Sequence, residues 1–593
     1  MKRCLFPRAL LSAAVISAMG TMPVANAQET SATIRGIVTG TGGQPVINAK
    51  VIAIHTPSNS RSEILSGESG RFNLSGLRVG GPYRITVESE QGEQQLNGVY
   101  LTLGDPLSLP LSLDASALEE VSVVGRMEDG AGNVLGPASH FTLADLENAP
   151  AVNRDLKDLV RLDPRVYIDE SHADGVQCAG ANPRFNSLTV DGVRMNDNFG
   201  LNSNGYPTER MPFSYDAIDQ VALELAPFDV QYGGFSACNI NAVTKSGSNE
   251  WHGSVFYDYT DDGLRGDQLE GDEFFVESFD EQRYSTTLSG PIIQDKLFFF
   301  TAYEKLDGVD TFSRGPAGSG APTQVQGVSQ AQVDEILRIA RDVYGYEPGG
   351  LPTSLPVEDE KLLVKIDWNI TDGQRAAFTY NYNDGFTIAE SDGDSNELEF
   401  SNHFYERGAE LNAYVAQLFS DWSDVFSTEF KIGYSELDNR QLPLGGTEFG
   451  EVQINTANDH DGDGNASEAI VYLGADDSRH ANKLSYETFT LKLAGNLQLN
   501  DHNLYFGYER DTFDVFNMFV QEAEGEYRFN SIADFEAGIA DRITYESAAG
   551  SNDPTDAGAE FAYTTNSLRP GRVPVRQCRP HTGRRPALRL VPE

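Results

Sequence analysis

The 593-residue sequence predicts a mainly β, exported protein that meets a membrane through strands: an N-terminal β-sandwich, a mixed α+β unit and an antiparallel transmembrane β-barrel. Three observations predict it. The chain opens on a secretory leader. No later apolar run is long enough for a membrane helix. Beyond residue 250, alternating segments are joined in turn by tight turns and by long acidic inserts, the pattern of an outer-membrane barrel.

The leader comes first. Lys2, Arg3 and Arg8 precede the short apolar run from Ala9 to Ala18, and Ala25-Asn26-Ala27 is a small-x-small cleavage site, so residues 1–27 read as a signal peptide. Formal net charge is −44, which excludes binding to a nucleic-acid backbone and suits solvated loops outside the cell. Of four cysteines, Cys4 lies in the leader and Cys578 in the tail. Cys178 and Cys238, in an oxidising compartment, favour a disulfide over two separate thiols. It would close a loop of about sixty residues, worth roughly 4 kcal/mol in the chain-entropy model.

Residues 28–113 read as a small sandwich. Ile34, Gly36 and Val38 open an alternating run, and Gly40 to Pro45 turns. Val51 to Ile54, Arg71 to Leu74 and Pro82 to Val87 supply further strands, separated by the turn at Gly67 to Gly70. The residues Arg35-Gly36-Ile37-Val38, Gln44-Pro45-Val46, Ala49-Lys50-Val51, Gly70-Arg71-Phe72 and Pro82-Tyr83 resemble the carboxypeptidase-regulatory-like domain. That resemblance implies a seven-stranded sandwich without catalytic residues of its own. Any carbohydrate-binding role would rest on fold analogy alone.

Residues 114–250 change texture. Glu119 to Gly125 is a short extended segment within a linker at 114–126. Leu143, Leu146, Leu156, Leu159 and Val160 keep helical spacing, while Leu188 to Val193, Ile218 to Leu225 and Val243-Thr244 read as strands and turns. Here the motifs are long: Leu188-Thr189-Val190-Asp191-Gly192-Val193-Arg194, Asn196-Asp197-Asn198-Phe199-Gly200, Asn204-Gly205-Tyr206-Pro207, Ala226-Pro227-Phe228-Asp229-Val230, Gln231-Tyr232-Gly233-Gly234-Phe235 and Asn241 to Gly247. They resemble the plug domain of TonB-dependent receptors, in the Oar-like subgroup, and place it at 127–250.

The resemblance implies a receptor and transporter of the Gram-negative outer membrane, with lipid around it and an extracellular ligand. It implies no enzyme and no cofactor. Its other partner is a TonB-type energy-coupling protein in the periplasm. Glu119, Glu120, Val121, Ser122, Val123, Val124 and Gly125 are the candidate TonB box, a segment that would add a strand to the partner's sheet, although an ordinary interdomain strand reads the same way. Asn196, Asp197, Asn198, Asn204 and Tyr206 are candidate ligand-facing residues on plug loops, or simply turn formers. A surface adhesion or glycan-binding protein anchored by a barrel is the alternative.

From Trp251 the chain reads as barrel strands through 567. Gly253 to Tyr259 is a first strand, and Asp372-Gly373 joins Leu362–Trp368 to Ala376–Tyr382. Acidic stretches at 261–281, 306–358, 384–408 and 437–482 are expected as extracellular loops. Phe298-Phe299-Phe300 is expected to face lipid or an interfacial girdle. Asp459, Asp461, Asp463 and Asn465 have the alternate oxygens of a calcium loop, but Ile470 stands where a full calcium loop needs Glu, and a solvated acidic loop fits equally. His403 and Glu406 have the H-x-x-E spacing of a zinc site without its second histidine.

The tail does not fit. From Leu568 the chain is rich in Arg and Pro, with Arg569, Arg572, Arg576, Arg579, Arg584, Arg585 and Arg589 against the single acid Glu593. A reading-frame shift explains this better than a basic tail for an anionic partner. The family barrel has 22 strands and about ten can be placed, so the barrel is expected to be incomplete. An open edge in lipid would cost several kcal/mol per unpaired backbone group.

Overall fold

The computed structural model describes residues 30–104, 106–113, 137–169, 174–197, 199–202, 204–225, 235–273, 276–499 and 502–573. The expected leader lies outside them. Seven strands build the N-terminal sandwich: β1 (Ala32–Thr39), β2 (Lys50–His55), β3 (Ser60–Leu65), β4 (Arg71–Leu77), β5 (Gly80–Ser89), β6 (Gly92–Leu101) and β7 (Leu107–Ser112). One sheet has the order β4-β1-β7 and the other β3-β2-β5-β6. Alternate residues meet between them, among them Ile34, Val51, Phe72, Tyr83, Ile85 and Leu111, all buried. Gly36 is required on β1: a Cβ there would lie 2.1 Å from the Leu109 carbonyl oxygen. The strands that periodicity left unannounced, β3, β6 and β7, are all sheet edges, where polar residues are tolerated.

The second unit is α+β. Its strands are β8 (Ala138–Phe141), β9 (Val166–Ile168), β10 (Val176–Cys178), β11 (Ser187–Val190), β12 (Val193–Arg194), β13 (Ile218–Leu225) and β14 (Cys238–Thr244). Five pair in the order β12-β11-β14-β13-β8, with β11 and β14 parallel. The helical spacing over Leu143 to Arg161 resolves into two short helices, Leu143–Asn148 and Leu156–Val160. Pro150 is the reason: the residue before a proline is pushed out of the helical region, and Ala149 ends the first helix in extended backbone.

Ten antiparallel strands follow as one sheet, each paired with the next along the chain, from His252–Asp261 to Ala559–Val573. These two end strands do not pair with each other, so among the described residues the sheet is open. The last strand runs on to Val573, past the texture change at Leu568, so that boundary does not end the barrel region as expected.

Sidedness identifies the sheet's surroundings. In strand Ser354–Thr371, Asp359, Lys361, Lys365 and Asp367 are buried on the inner face. Leu362, Val364, Ile366 and Trp368 alternate with them on the outer face. Tyr414, Phe430, Ile432 and Leu493 continue this outer apolar surface, each exposed. Polar inside and apolar outside is the alternation of a lipid-embedded barrel wall. One expectation is corrected here. Phe298 and Phe300 do not face lipid: both point inward and are 0% and 2% exposed, while Phe299 lies between them on the outer side against Trp251. A run of three aromatics in a strand must alternate faces.

The two ends of the sheet differ. Tight turns such as Asp295-Lys296 and Asp372-Gly373 carry the sandwich: Arg78 pairs with Asp367 at 2.7 Å, Asn369 donates to the Ser58 carbonyl oxygen, and Asn59 donates to Asp295. At the other end the described part of the stretch 261–281 is largely exposed. The ends of 306–358, 384–408 and 437–482 extend the barrel strands, and much of what lies between packs into a module. Its five-stranded sheet, with Ser467–Leu473 and Glu451–Asn458 near the centre, is covered by the helices Gln330–Asp342 and Ile532–Ala537. Val333, Ile336, Ile339, Phe400, Ile454, Val471 and Phe535 form its core. Ser329 and Gln332 make the capping box that starts the longer helix.

The sandwich contains a titratable probe of its seating. His55 is buried, its Nδ1 2.7 Å from Ser58 Oγ and its ring 5.0 Å from that of Tyr83. Burial, then the charges of Arg78 and Arg375, push its pKa down to about 3, while Asp367 opposes them. The unfolded chain takes up a proton near pH 6.5 that the folded one refuses until about 3, so stability falls as pH drops through that window. Melting of the sandwich followed from pH 7 to pH 4 should decline by a few kcal/mol, and His55→Gln should flatten that slope.

Candidate functional site

The motif Val190-Asp191-Gly192-Val193 is a two-residue hairpin between β11 and β12, with Val190 opposite Val193. Both turn residues have positive φ, 47° at Asp191 and 79° at Gly192, as a tight hairpin with Asp-Gly at its tip requires. The tip is pushed into the inner wall of the barrel sheet. A Cβ on Gly192 would lie 1.9 Å from Lys431 Nζ, so that side chain would have to move, and the φ of 79° itself favours glycine.

Asp191 is buried and heavily used. Its Oδ1 accepts from the Thr244 amide at 3.0 Å, and its Oδ2 accepts from the Thr244 and Thr379 hydroxyls at 2.6 and 3.2 Å. Lys365 Nζ stands 3.4 Å away and donates to the Thr244 carbonyl oxygen at 2.9 Å. Gln417 donates to the Asp191 carbonyl oxygen at 2.8 Å. Thr379, Lys365 and Gln417 belong to three neighbouring barrel strands, so one turn of the α+β unit is held across the wall.

Similar contacts ring the unit. Ser214 donates to Glu304, which Lys361 also pairs at 3.0 Å. Ser285 donates to Asp216, Arg283 to the Asn153 carbonyl oxygen, and Asn381 to the Pro212 carbonyl oxygen. Arg407 holds Glu209 through two nitrogens, at 3.1 and 2.8 Å. Burial lifts the Glu209 carboxyl above its usual range, with Arg407 opposing the shift. Asp219 is pushed up to about 6, also by burial, against the pull of Lys365 and Lys245. An apolar patch adds Leu411, Val415, Tyr486 and Phe513 of the wall to the unit's own core. A second, smaller patch joins Ala217 to Phe300, Ala302 and Leu363 of the wall, so the unit is seated on many hydrogen bonds that water could replace, plus these apolar contacts.

The sequence-selected residues fall differently. Glu119 to Gly125 and Asn198 lie outside the described residues. Asn196 accepts from the Leu188 amide and donates to the Asn186 carbonyl oxygen, bracing β11. Asp197 accepts from the amides of Phe199, Gly200 and Asn202. Asn204 caps its own turn, donating to the Thr208 and Glu209 carbonyl oxygens. Tyr206 does not face outward: it is 4% exposed and its hydroxyl donates to Asp155. The hydrogen bonds of Asn196, Asp197 and Asn204 are those of turn formers, the second of the two readings the sequence offers for them.

Cys178 on β10 and Cys238 on β14 are joined in a disulfide, Cα to Cα 6.0 Å, both sulfurs in the core of the unit. Asp459, Asp461, Asp463 and Asn465 cap an exposed hairpin tip. Asp459 accepts from the Gly462 and Gly464 amides, and Asp463 from the Asn465 amide. His403 and Glu406 do not converge. His403 is fully buried against Asp392, and Glu406 pairs with Arg440 at 3.2 Å. Asp191, Lys365 and Gln417 are brought together by the fold alone. The Val-Asp-Gly-Val hairpin was a visible signal, but its partners lie 174 and 226 residues away.

Residues 33–114 match the carboxypeptidase regulatory-like domain, and residues 243–325 match an outer membrane beta barrel domain. The chain is 26% identical over 314 residues to the TonB-dependent transporter Oar of Myxococcus xanthus, covering 50% of this chain and 29% of that protein. The outer membrane transporter YddB of Escherichia coli shares the fold with a TM-score of 0.51 at 13% identity, over 74% of this chain and 56% of its own. The ferric enterobactin receptor of Pseudomonas aeruginosa gives a TM-score of 0.45 at 14% identity, over 73% of this chain and 55% of its own. The chain thus spans 29% of the length of its curated relative.

Three outcomes are expected. Lys365→Met leaves Asp191 short of its cation and should loosen the hairpin by about 3 kcal/mol, read as faster amide exchange over 187–194. The double variant Asp191→Asn with Lys365→Met should lose less than the two single losses together. Thiol labelling of folded, oxidised protein should modify neither Cys178 nor Cys238.

Proposed function

We infer the function of this chain from its family: it is a homologue of the TonB-dependent transporters, seated in the Gram-negative outer membrane. We propose that it is the sandwich, plug and first-barrel-strand portion of an energy-coupled receptor. A ligand is bound on the long-loop side and moved inward as the plug shifts. The observation that carries this reading is the seating of the Asp191-Gly192 hairpin. It rests on side-chain hydrogen bonds to the Thr379, Lys365 and Gln417 strands, not on backbone pairing with the wall. Such a contact can be exchanged for water without breaking the barrel's own ladder. No covalent chemistry is required of the chain, and none of its polar clusters is assigned a reaction.

The coupling element we propose is Glu119 to Gly125. It follows the sandwich, whose last strand ends at Ser112, and the sandwich rests on the short-turn end of the barrel sheet. Short turns face the periplasm in barrels of this kind, so the linker starts on the side where a TonB-type protein would reach it. An extended segment pairing with an edge strand of that partner would be held by backbone hydrogen bonds.

The test needs no knowledge of the ligand. The purified chain should bind the periplasmic C-terminal domain of a TonB-type protein at micromolar concentration. Deleting residues 119–125 should abolish that binding. Val121→Pro, which removes a backbone donor, should weaken it at least tenfold, while Val121→Ala should change little. Binding that survives the deletion would overturn the assignment and favour a surface adhesion protein.

A further inference from the structure

The best-formed unassigned cluster lies where the loop module meets the barrel. His403 is 0% exposed, two residues before the strand Tyr405–Ser423. Its Nδ1 is 3.1 Å from the Gly474 carbonyl oxygen. A carbonyl only accepts, so Nδ1 carries the hydrogen and the ring is oriented with Nε2 toward Asp392, 2.9 Å away. Asp476 completes a group of three: ligand atoms of Asp392, His403 and Asp476 all lie within 4.8 Å of one another.

Asp476 is the anomaly. It is 6% exposed, and its Oδ1 accepts no hydrogen bond. Arg479 Nε stands 3.8 Å from that oxygen, beyond hydrogen-bond reach, with its guanidinium over the Tyr405 ring. A buried carboxylate oxygen without a donor is costly unless a cation serves it. The surrounding carboxylates deepen the deficit. Glu451 and Asp477 lie within 4.8 Å of Asp476, and Glu399 is buried nearby. Those neighbours are already engaged. Glu451 accepts from Gln453 and from the Asp477 amide, and Glu399 accepts from the Ser391, Asp392 and Gly393 amides. Glu399 thereby fixes the loop that presents Asp392.

We propose that Asp392, His403 and Asp476 form a binding site for a divalent first-row transition metal, with Zn2+ as the fitting probe. One imidazole nitrogen with two carboxylates suits such an ion better than Ca2+, which takes oxygen alone. A ring whose Nδ1–H rests on a backbone carbonyl, leaving Nε2 for the metal, is a common arrangement around protein metal sites. The 2.9 Å between His403 Nε2 and Asp392 is close to the ligand spacing around an ion with bonds of about 2.0 Å. Asp392 is exposed and gives the ion a way in, while His403 and Asp476 supply the buried donors. The bound ion ties the 391–403 loop to the 474–480 turn, which joins two lengths of the module to the rim of the barrel.

The experiment uses the purified chain in detergent, stripped with chelator and titrated with Zn2+. One ion should bind per chain at micromolar concentration or tighter and raise the melting temperature. Asp392→Asn and His403→Gln should each weaken binding at least tenfold, while Asp461→Asn, on the separate exposed loop, should not. Because His403→Gln could compromise folding, Asp392→Asn at the surface carries the comparison, and Co2+ in place of Zn2+ should give a visible absorption band that Asp392→Asn removes. No saturable binding, or binding equal in wild type and Asp392→Asn, overturns the site and leaves an imidazolium paired with carboxylates.

Discussion

The seating of one hairpin organises this molecule. The turn Asp191-Gly192 approaches the barrel wall with both residues at positive φ, and Gly192 leaves room for the Lys431 ammonium beside it. The approach buries the Asp191 carboxylate, and the wall answers with donors from three strands. The buried polar character of those strands follows from this. Lys361, Lys365 and Asp367 would be an expensive inner face for a sheet packed on an apolar core; here each is paired, Lys365 with Asp191 of the hairpin, Lys361 with Glu304 and Asp367 with Arg78 of the sandwich.

The same constraint sets the outer face. With polar residues committed inward, strict alternation sends Leu362, Val364, Ile366 and Trp368 outward. Lipid is the surrounding that accepts them. Polarity along the barrel axis then follows from connection length. Short turns leave room for the sandwich, docked through Arg78 on Asp367, and long connections leave enough chain to fold a second small core above the opposite rim.

How much of this was legible depended on the range of the interaction. Strands of the sandwich and barrel were legible because period-two alternation is local. The disulfide pair could be singled out by compartment and count. The acidic stretches misled, because charge was read as solvation: Val333, Ile336 and Ile339 lie on one face of a helix inside such a stretch, and their partners Ile454 and Val471 come from another. Phe298 and Phe300 misled in the opposite way, since aromatic composition does not say which face is lipid until the register is known. Tyr206 sits in a polar loop motif but is buried, its hydroxyl held by Asp155 from 51 residues away.

The sequence by itself determined the mainly β class, the order of sandwich, α+β plug and antiparallel strands, and the family those motifs resemble. Each of these rests on patterns within about ten residues, where backbone geometry dictates which side chains share a face. Only the tertiary structure decided which polar residues are buried and what pairs with them. It spent Asn196, Asp197 and Asn204 on their own turns and brought Asp191 to Lys365. It also left Asp476 buried beside His403. Hydrogen-bond demand is settled by burial, and burial is a property of the packed chain, not of the residue.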